Sequence, residues 1–210
     1  MRTQLWIAAL MGSLCLGGAA LAEQSPAPTD LGHTPELALT VLQPKTHATL
    51  TVTSPAFKNG GVIPEDNTQY GKNIFPGLHW TAGPAGTHSY VIIIQSESYG
   101  GSPTAIQFTL YNVPAAVTAL DAGMTTPPTG AVYGSNVHGA AKPYAGPHTH
   151  TGDQHGYHFQ VFALDTVLQP QEPVSFGVLM SAMMGHVLVS GDLVGHTAKP
   201  EGAVYTPNKG

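Results

Sequence analysis

Apolar residues along this chain fall in short runs cut by glycine and proline, a pattern that predicts strands far more often than helices. Ala48-Thr49-Leu50-Thr51-Val52-Thr53 alternates, with Leu50 and Val52 on one face. Leu78-His79-Trp80 is a short strand fragment. Ser89-Tyr90-Val91-Ile92-Ile93-Ile94 is a continuous β-branched run, expected of a central strand buried on both faces. Ile106 to Val113 alternates again, with Ile106, Phe108 and Leu110 facing one way and Gln107, Thr109 and Tyr111 the other, until Pro114 stops it. Tyr157 to Leu164 reads as a strand with bulky residues on both faces, and Leu37 to Leu42 as a first strand. Only Val178 to Ser190 has helical spacing: Leu179, Met183 and Val187 recur at fourth positions beside Met180, Met184 and Leu188, and Gly191 marks the end. Asn59-Gly60-Gly61, Gly83 to Gly86 and Gly100-Gly101 are turns, and 121–144 is a long Gly/Pro/Thr-rich loop of the kind that carries function. The fold class expected is mainly β, sandwich-like, with few helices and a single domain over 47–200.

What precedes that domain has a different composition. Arg2, the apolar run Leu5 to Leu16 and Ala20-Leu21-Ala22 have the form of a secretory signal peptide over 1–22, cleaved before Glu23. The expected location is the periplasm, and a membrane anchor is not expected because the run is short for a span. Residues 23–46 read as a mobile leader holding the first strand, and 201–210 as a polar tail. Cys15 is the only cysteine and leaves with the signal, which excludes disulfides, thiol catalysis, Cys-ligated zinc and iron–sulfur clusters. Arg2, the only arginine, leaves with it too. Six lysines then face twelve acids, a formal charge of −6 with no basic run. That argues against nucleic acid and anionic membrane surfaces, and removes the bidentate guanidinium clamp for phosphate.

Candidate chemistry concentrates in Gly146 to Asp165, where a polar loop runs into an apolar strand. The loop holds His148, His150, His155 and His158. An imidazole can donate to an anion at either nitrogen once protonated, and its ordinary pKa lies near neutral. The same histidines allow a copper or zinc site on His148, His150 and His155, although His158, three residues past His155, faces the other way on a strand. Ser96 or Ser98 with His155 and Asp153 would be the elements of a hydrolase. No G-x-S-x-G elbow accompanies them, and no catalytic residue or cofactor is expected. Met183-Met184 is expected to be core packing.

From about Leu50 to His196 the chain resembles the phosphatidylethanolamine-binding proteins, in particular their bacterial Raf-kinase-inhibitor-like branch. The resemblance rests on Ser54-Pro55-Ala56-Phe57 with Gly60-Gly61, Pro76-Gly77-Leu78-His79-Trp80, Pro84-Ala85-Gly86-Thr87 and Leu110-Tyr111-Asn112-Val113-Pro114. It continues in Tyr144-Ala145-Gly146-Pro147, similar to the family's YxGP, and His155-Gly156-Tyr157-His158-Phe159, where the family has HRYxF. Gly185-His186-Val187-Leu188 with Gly191 to Gly195 looks like its late helix. The resemblance implies a large central sheet, a second smaller sheet, peripheral helices and a surface pocket for anionic groups such as phosphate head groups. It places Gly146, Pro147, His155 and Tyr157 at that pocket, with Tyr144 as a further phenolic donor and His148 beside the GP pair. Two parts differ. The family's DPDAP loop reads Ser96-Glu97-Ser98-Tyr99 here, and its strand histidine aligns with Gln107. The expected function is therefore an exported, non-enzymatic protein holding a small polar or anionic ligand of the phosphate or phospholipid head-group kind, with Ser96, Ser98 and Gln107 replacing the missing groups. The sequence names no protein partner and is compatible with a homodimer.

Overall fold

A computed structural model describes residues His33–Thr34, 36–139, 141–150, 152–169 and 172–203. Residues 1–22, expected to be a signal peptide, and most of 23–46 and 201–210 lie outside them. Ten strands are present among the described residues: β1 (His33–Thr34), β2 (Val52–Thr53), β3 (Gly61–Val62), β4 (Leu78–Trp80), β5 (Ser89–Ser96), β6 (Thr104–Pro114), β7 (Ala119–Leu120), β8 (Val132–Tyr133), β9 (His155–Leu164) and β10 (Val187–Thr197). Two helices accompany them, the single turn α1 (Ala38–Val41) and α2 (Phe176–Met183), with a 3-10 turn at Glu65–Asn67. The large sheet runs β1-β6-β5-β9-β10-β3, with β8 also on β6, and the small sheet runs β2-β4-β7. All pairings between these strands are antiparallel except β10 with β3.

The continuous apolar run of β5 has the cause expected of it. β5 lies between β6 and β9, and every residue from Ser89 to Ser96 is buried. One face of the large sheet meets the small sheet through Phe57, Trp80, Tyr90, Phe108, Phe159 and Leu193. The other face packs Val91, Ile93 and Phe162 under α1 and α2, against Leu42, Leu179 and Met183. A sheet covered on both sides has no solvent face to polarise its central strands, so alternation fades there.

Four expectations are corrected. Leu37 to Leu42 is not a strand. Ala38 N donates to Gln95 Oε1 at 2.8 Å and Leu39 N to Gln160 Oε1 at 2.7 Å, so two buried glutamines of the sheet cap a helical turn. The expected leader is packed against the large sheet where it is described: Ala38 and Leu42 are buried, and Lys45 N donates to Val187 O at 2.9 Å. The expected helix over Val178 to Ser190 stops at Met183. Ser175 caps its start by accepting from Val178 N, Gly185 turns the chain at φ 75°, and Val187 onward is strand β10, so the late segment matched to a family helix is a strand. Gly191 ends no helix but lets β10 approach the Leu50 carbonyl, where a Cβ would lie 2.3 Å from the oxygen.

The fourth concerns β6. Phe108 pairs with Ile94 while Ile106 pairs with Gln95, leaving Gln107 as the extra residue of a bulge. The bulge reverses the phase, so Ile106 packs with Tyr111 under the helices rather than with Phe108 and Leu110. Among the described residues no helix is long and apolar enough to cross a membrane.

Candidate functional site

The cleft lies at the end of the large sheet where β5 leaves, β6 begins and β9 starts. It has a volume of about 620 Å³. Ser96, Gln107, His148, His155 and Tyr157 line it, as does His150. Each arrives by a separate route. Ser96 closes β5 and its Oγ accepts from Ala105 N at 2.9 Å, which ties the start of β6 to the end of β5. Gln107 is turned inward by its bulge, and the carbonyls of Ala145 and Gly146, 2.8 and 3.1 Å from one end of its amide, assign that end as the donating nitrogen. His155 and Tyr157 project from one face of β9 because side chains alternate along a strand.

The remaining predicted residues stand behind this lining. Tyr144 is buried with its ring edge-on to Phe75 at 5.5 Å, and its hydroxyl donates to Asn67 O at 2.7 Å. Burial, with Tyr157 adding to it, holds that phenol well above its ordinary pKa. It is a strut and not a ligand donor. Gly146 sits where a Cβ would be 2.7 Å from Asn67 O, and its own N–H donates to Asn73 Oδ1 at 2.6 Å. Pro147 O accepts from Gln69 N at 3.1 Å. Ser98 Oγ donates to Ser102 O at 2.9 Å inside a tight turn.

Sequence reasoning missed the cradle that holds the histidine loop. Gln69 Nε2 donates to Gly146 O at 2.7 Å, Tyr70 donates to Thr149 O, and Asn73 stands at φ 57° to reach Gly146. Thr68-Gln69-Tyr70 carries no motif. Gln69 itself lines the cleft, as do Tyr99, Ser102 and His138. His138 lies in the long loop that its composition alone had marked for function.

No lysine or arginine lines the cleft among the described residues, and Glu97 is the only lining residue with a carboxylate. That carboxylate accepts from His158 Nε2 at 3.2 Å. Burial, helped by the nearby His150, Lys199 and His138, pulls His148 down to about 4, so its ring is uncharged at neutral pH. Burial pushes the Tyr157 phenol far up, against the opposing hydrogen bond from the His148 backbone, so it stays protonated and keeps an O–H to donate. Two ring pairs flank the opening, His148 with His150 at 4.6 Å and Tyr99 with His155 at 4.2 Å. No three of His, Cys, Asp and Glu among the described residues converge as a metal site.

A two-sheet β fold with a hydrogen-bonding cleft at the end of its large sheet defines a class of small-ligand-binding protein. The sequence model of the phosphatidylethanolamine-binding protein family matches residues 53–198, and the chain belongs to that family. It is 35% identical over 145 residues to a UPF0098 protein of Methanothermobacter thermautotrophicus, covering 67% of this chain and 93% of that one. It is 37% identical over 120 residues to the UPF0098 protein YbcL of Escherichia coli, covering 54% of this chain and 65% of YbcL. The YbcL crystal structure superposes with a TM-score of 0.63 at 29% identity, over 72% of this chain and 99% of YbcL. That of the phosphatidylethanolamine-binding protein homologue CT736 of Chlamydia trachomatis does so at 0.64 and 29%, over 72% and 98%.

Proposed function

We propose that this chain is an exported, non-enzymatic binding protein whose cleft holds a small polar molecule through hydrogen bonds. One observation carries the reading. Donors and acceptors from Ser96, Gln107, His155 and Tyr157, delivered by three strands, open onto one cleft that has no lysine or arginine in its wall among the described residues. A phosphate or phospholipid head group needs cationic or clustered N–H donors. His148 near 4 is not a cation at neutral pH, so the charge balance favours a neutral polar ligand over an anion. The two serines support the non-enzymatic reading, because Ser96 Oγ accepts from a backbone N–H and Ser98 Oγ donates to a carbonyl, roles that shape their turn. Residues 1–22 would direct the chain to the periplasm and be removed before Glu23.

The test is native mass spectrometry of the protein recovered from the periplasm without chelator, affinity histidines or phosphate. A stoichiometric organic adduct that is absent from His155→Ala, with an unchanged melting temperature, supports the reading. A phosphate-containing adduct would return the anionic ligand to first place. A stoichiometric copper or zinc mass would overturn the reading in favour of the histidine pair.

A further inference from the structure

We propose that His158, on the face of the large sheet opposite the cleft, is a proton-operated latch that fixes the wall of the cleft through Glu97. The inference concerns regulation of the proposed ligand cleft and so rests on that reading for its purpose, though its geometry does not depend on any ligand.

Alternation along β9 sends His155 and Tyr157 to the cleft face and Gly156, His158 and Gln160 to the other. Glu97, the first residue after β5, folds its carboxylate over Gly156. A Cβ at Gly156 would fall 2.3 Å from Glu97 Cδ and 2.4 Å from Oε1, so only glycine leaves room for this placement. His158 Nε2 then meets Glu97 Oε1 at 3.2 Å, while Nδ1 meets Asp192 Oδ2 on β10 at 2.5 Å. The groups facing His158 are therefore Glu97 after β5, Gln95 on β5, Gln160 on its own strand, and Asp192 and His196 on β10, with Glu36 on the segment crossing this face.

Both contacts at once require the imidazolium, which donates from each nitrogen to a carboxylate oxygen. Loss of one proton leaves a single N–H. Asp192 is the closer partner and the less exposed, its side chain 18% accessible against 49% for Glu97. Its other oxygen, Oδ1, is buried with no partner among the described residues, so the negative charge there has little else to balance it. The remaining proton stays on Nδ1, and the lone pair of Nε2 then faces the Glu97 carboxylate. That contact turns from attractive to repulsive, and Glu97 is released. Burial opposes charge on His158, but the Asp192 and Glu97 contacts outweigh it and raise its pKa above 6.5, so the change falls on the alkaline side of an ordinary histidine's.

The movement has a route to the cleft. Glu97 N donates to Gly156 O at 2.9 Å, and Ser102 N donates to Tyr99 O at 2.9 Å, so 97–102 is a compact turn hung from one strand edge. Tyr99 of that turn stacks on His155 at 4.2 Å and donates to Asp153 Oδ2 at 2.7 Å, and Tyr99, Ser102 and Pro103 form the cleft wall. With Glu97 held, the wall is pinned from behind. With the Glu97 carboxylate released, the turn keeps only its backbone bond to Gly156 and the contacts of Tyr99.

The test uses the full mature chain without ligand. The His158 ring and the backbone amides of 97–103 are followed by NMR across pH 5 to 9 (roughly the range in which histidines titrate). The expected result is that these amides shift with the same midpoint as the His158 ring, and that their hydrogen exchange rises about three- to fivefold above it, the size of one partly exposed ion pair. In Glu97→Gln the amide response vanishes while His158 still titrates at a lower midpoint. In Asp192→Asn the midpoint of both falls together. Amides that do not respond, or that respond equally in Glu97→Gln, overturn the latch. Because the readout needs no ligand, a failed ligand search would leave it standing, and a failed latch would leave the cleft reading untouched.

Discussion

At the scale of single residues, two histidines pull stability in opposite directions with pH. His158 has a folded pKa above its ordinary 6.5, because Asp192 and Glu97 outweigh its burial. Its contribution is fully present below about 6.5 and is lost as pH rises through the folded value. His148 has a folded pKa near 4, because burial disfavours its charge. Its contribution is fully present above 6.5 and is lost as pH falls toward 4. Thermal unfolding should therefore show greatest stability near neutral pH, with each flank belonging to a different residue. His158→Gln is expected to flatten the alkaline flank and leave the acid one. A profile in which His158→Gln keeps the alkaline loss would assign that loss elsewhere.

At the scale of elements, the unusual device is the pair of buried glutamines under α1. Gln95 Oε1 accepts from Ala38 N at 2.8 Å and from Gln160 Nε2 at 2.9 Å, while Gln95 Nε2 donates to Thr34 Oγ1 at 2.9 Å. Both glutamines are fully buried, so replacing one strands its partners. Gln95→Leu is expected to cost at least about 2 kcal/mol in urea unfolding, since each buried group left unpaired costs about 1–3 kcal/mol. A near-neutral result would show that the network contributes position and not stability. The same device explains what could and could not be read in advance. Ser89 to Ile94 declared itself because burial on two faces selects β-branched residues at successive positions. Leu37 to Leu42 misled because its helical turn is imposed by side chains some 57 and 121 positions away. Val187 fits a fourth-position spacing and an alternating one equally, so Gly185 was the better marker of the boundary than Gly191. Of the site, His155 and Gln107 were legible from motif positions, whereas Gln69 and Tyr70 were not, because their role is to hold another loop's carbonyls.

At the scale of the whole molecule, the folded unit reaches back at least to His33, since β1 pairs with β6 and the following segment covers one face of the sheet. Deleting 33–46 would expose the bed of Ala38 and Leu42, remove the caps' purpose and leave Val187 O without Lys45 N. The burial of Leu42 alone is worth about 1.5–3 kcal/mol. With the lost hydrogen bonds the melting temperature should fall by roughly 10 °C, at about 2–4 °C per kcal/mol for a chain of this size. A deletion that melts with the parent would mean this segment is dispensable packing.

The strand order β1-β6-β5-β9-β10-β3 also dictates timing. β5 cannot gain its second neighbour until β9 has been made, and β3, formed early in the chain, has no partner in the large sheet until Gly195 and His196 of β10 are available. Contacts so distant in sequence make for slow closure, because a long loop must be ordered before they reward it. An emerging chain of this design stays open until its last strand arrives. That delay is a hazard for a chain folding at the ribosome, and would turn into an asset under the proposed export, in which the chain is first threaded through a membrane as an extended polymer.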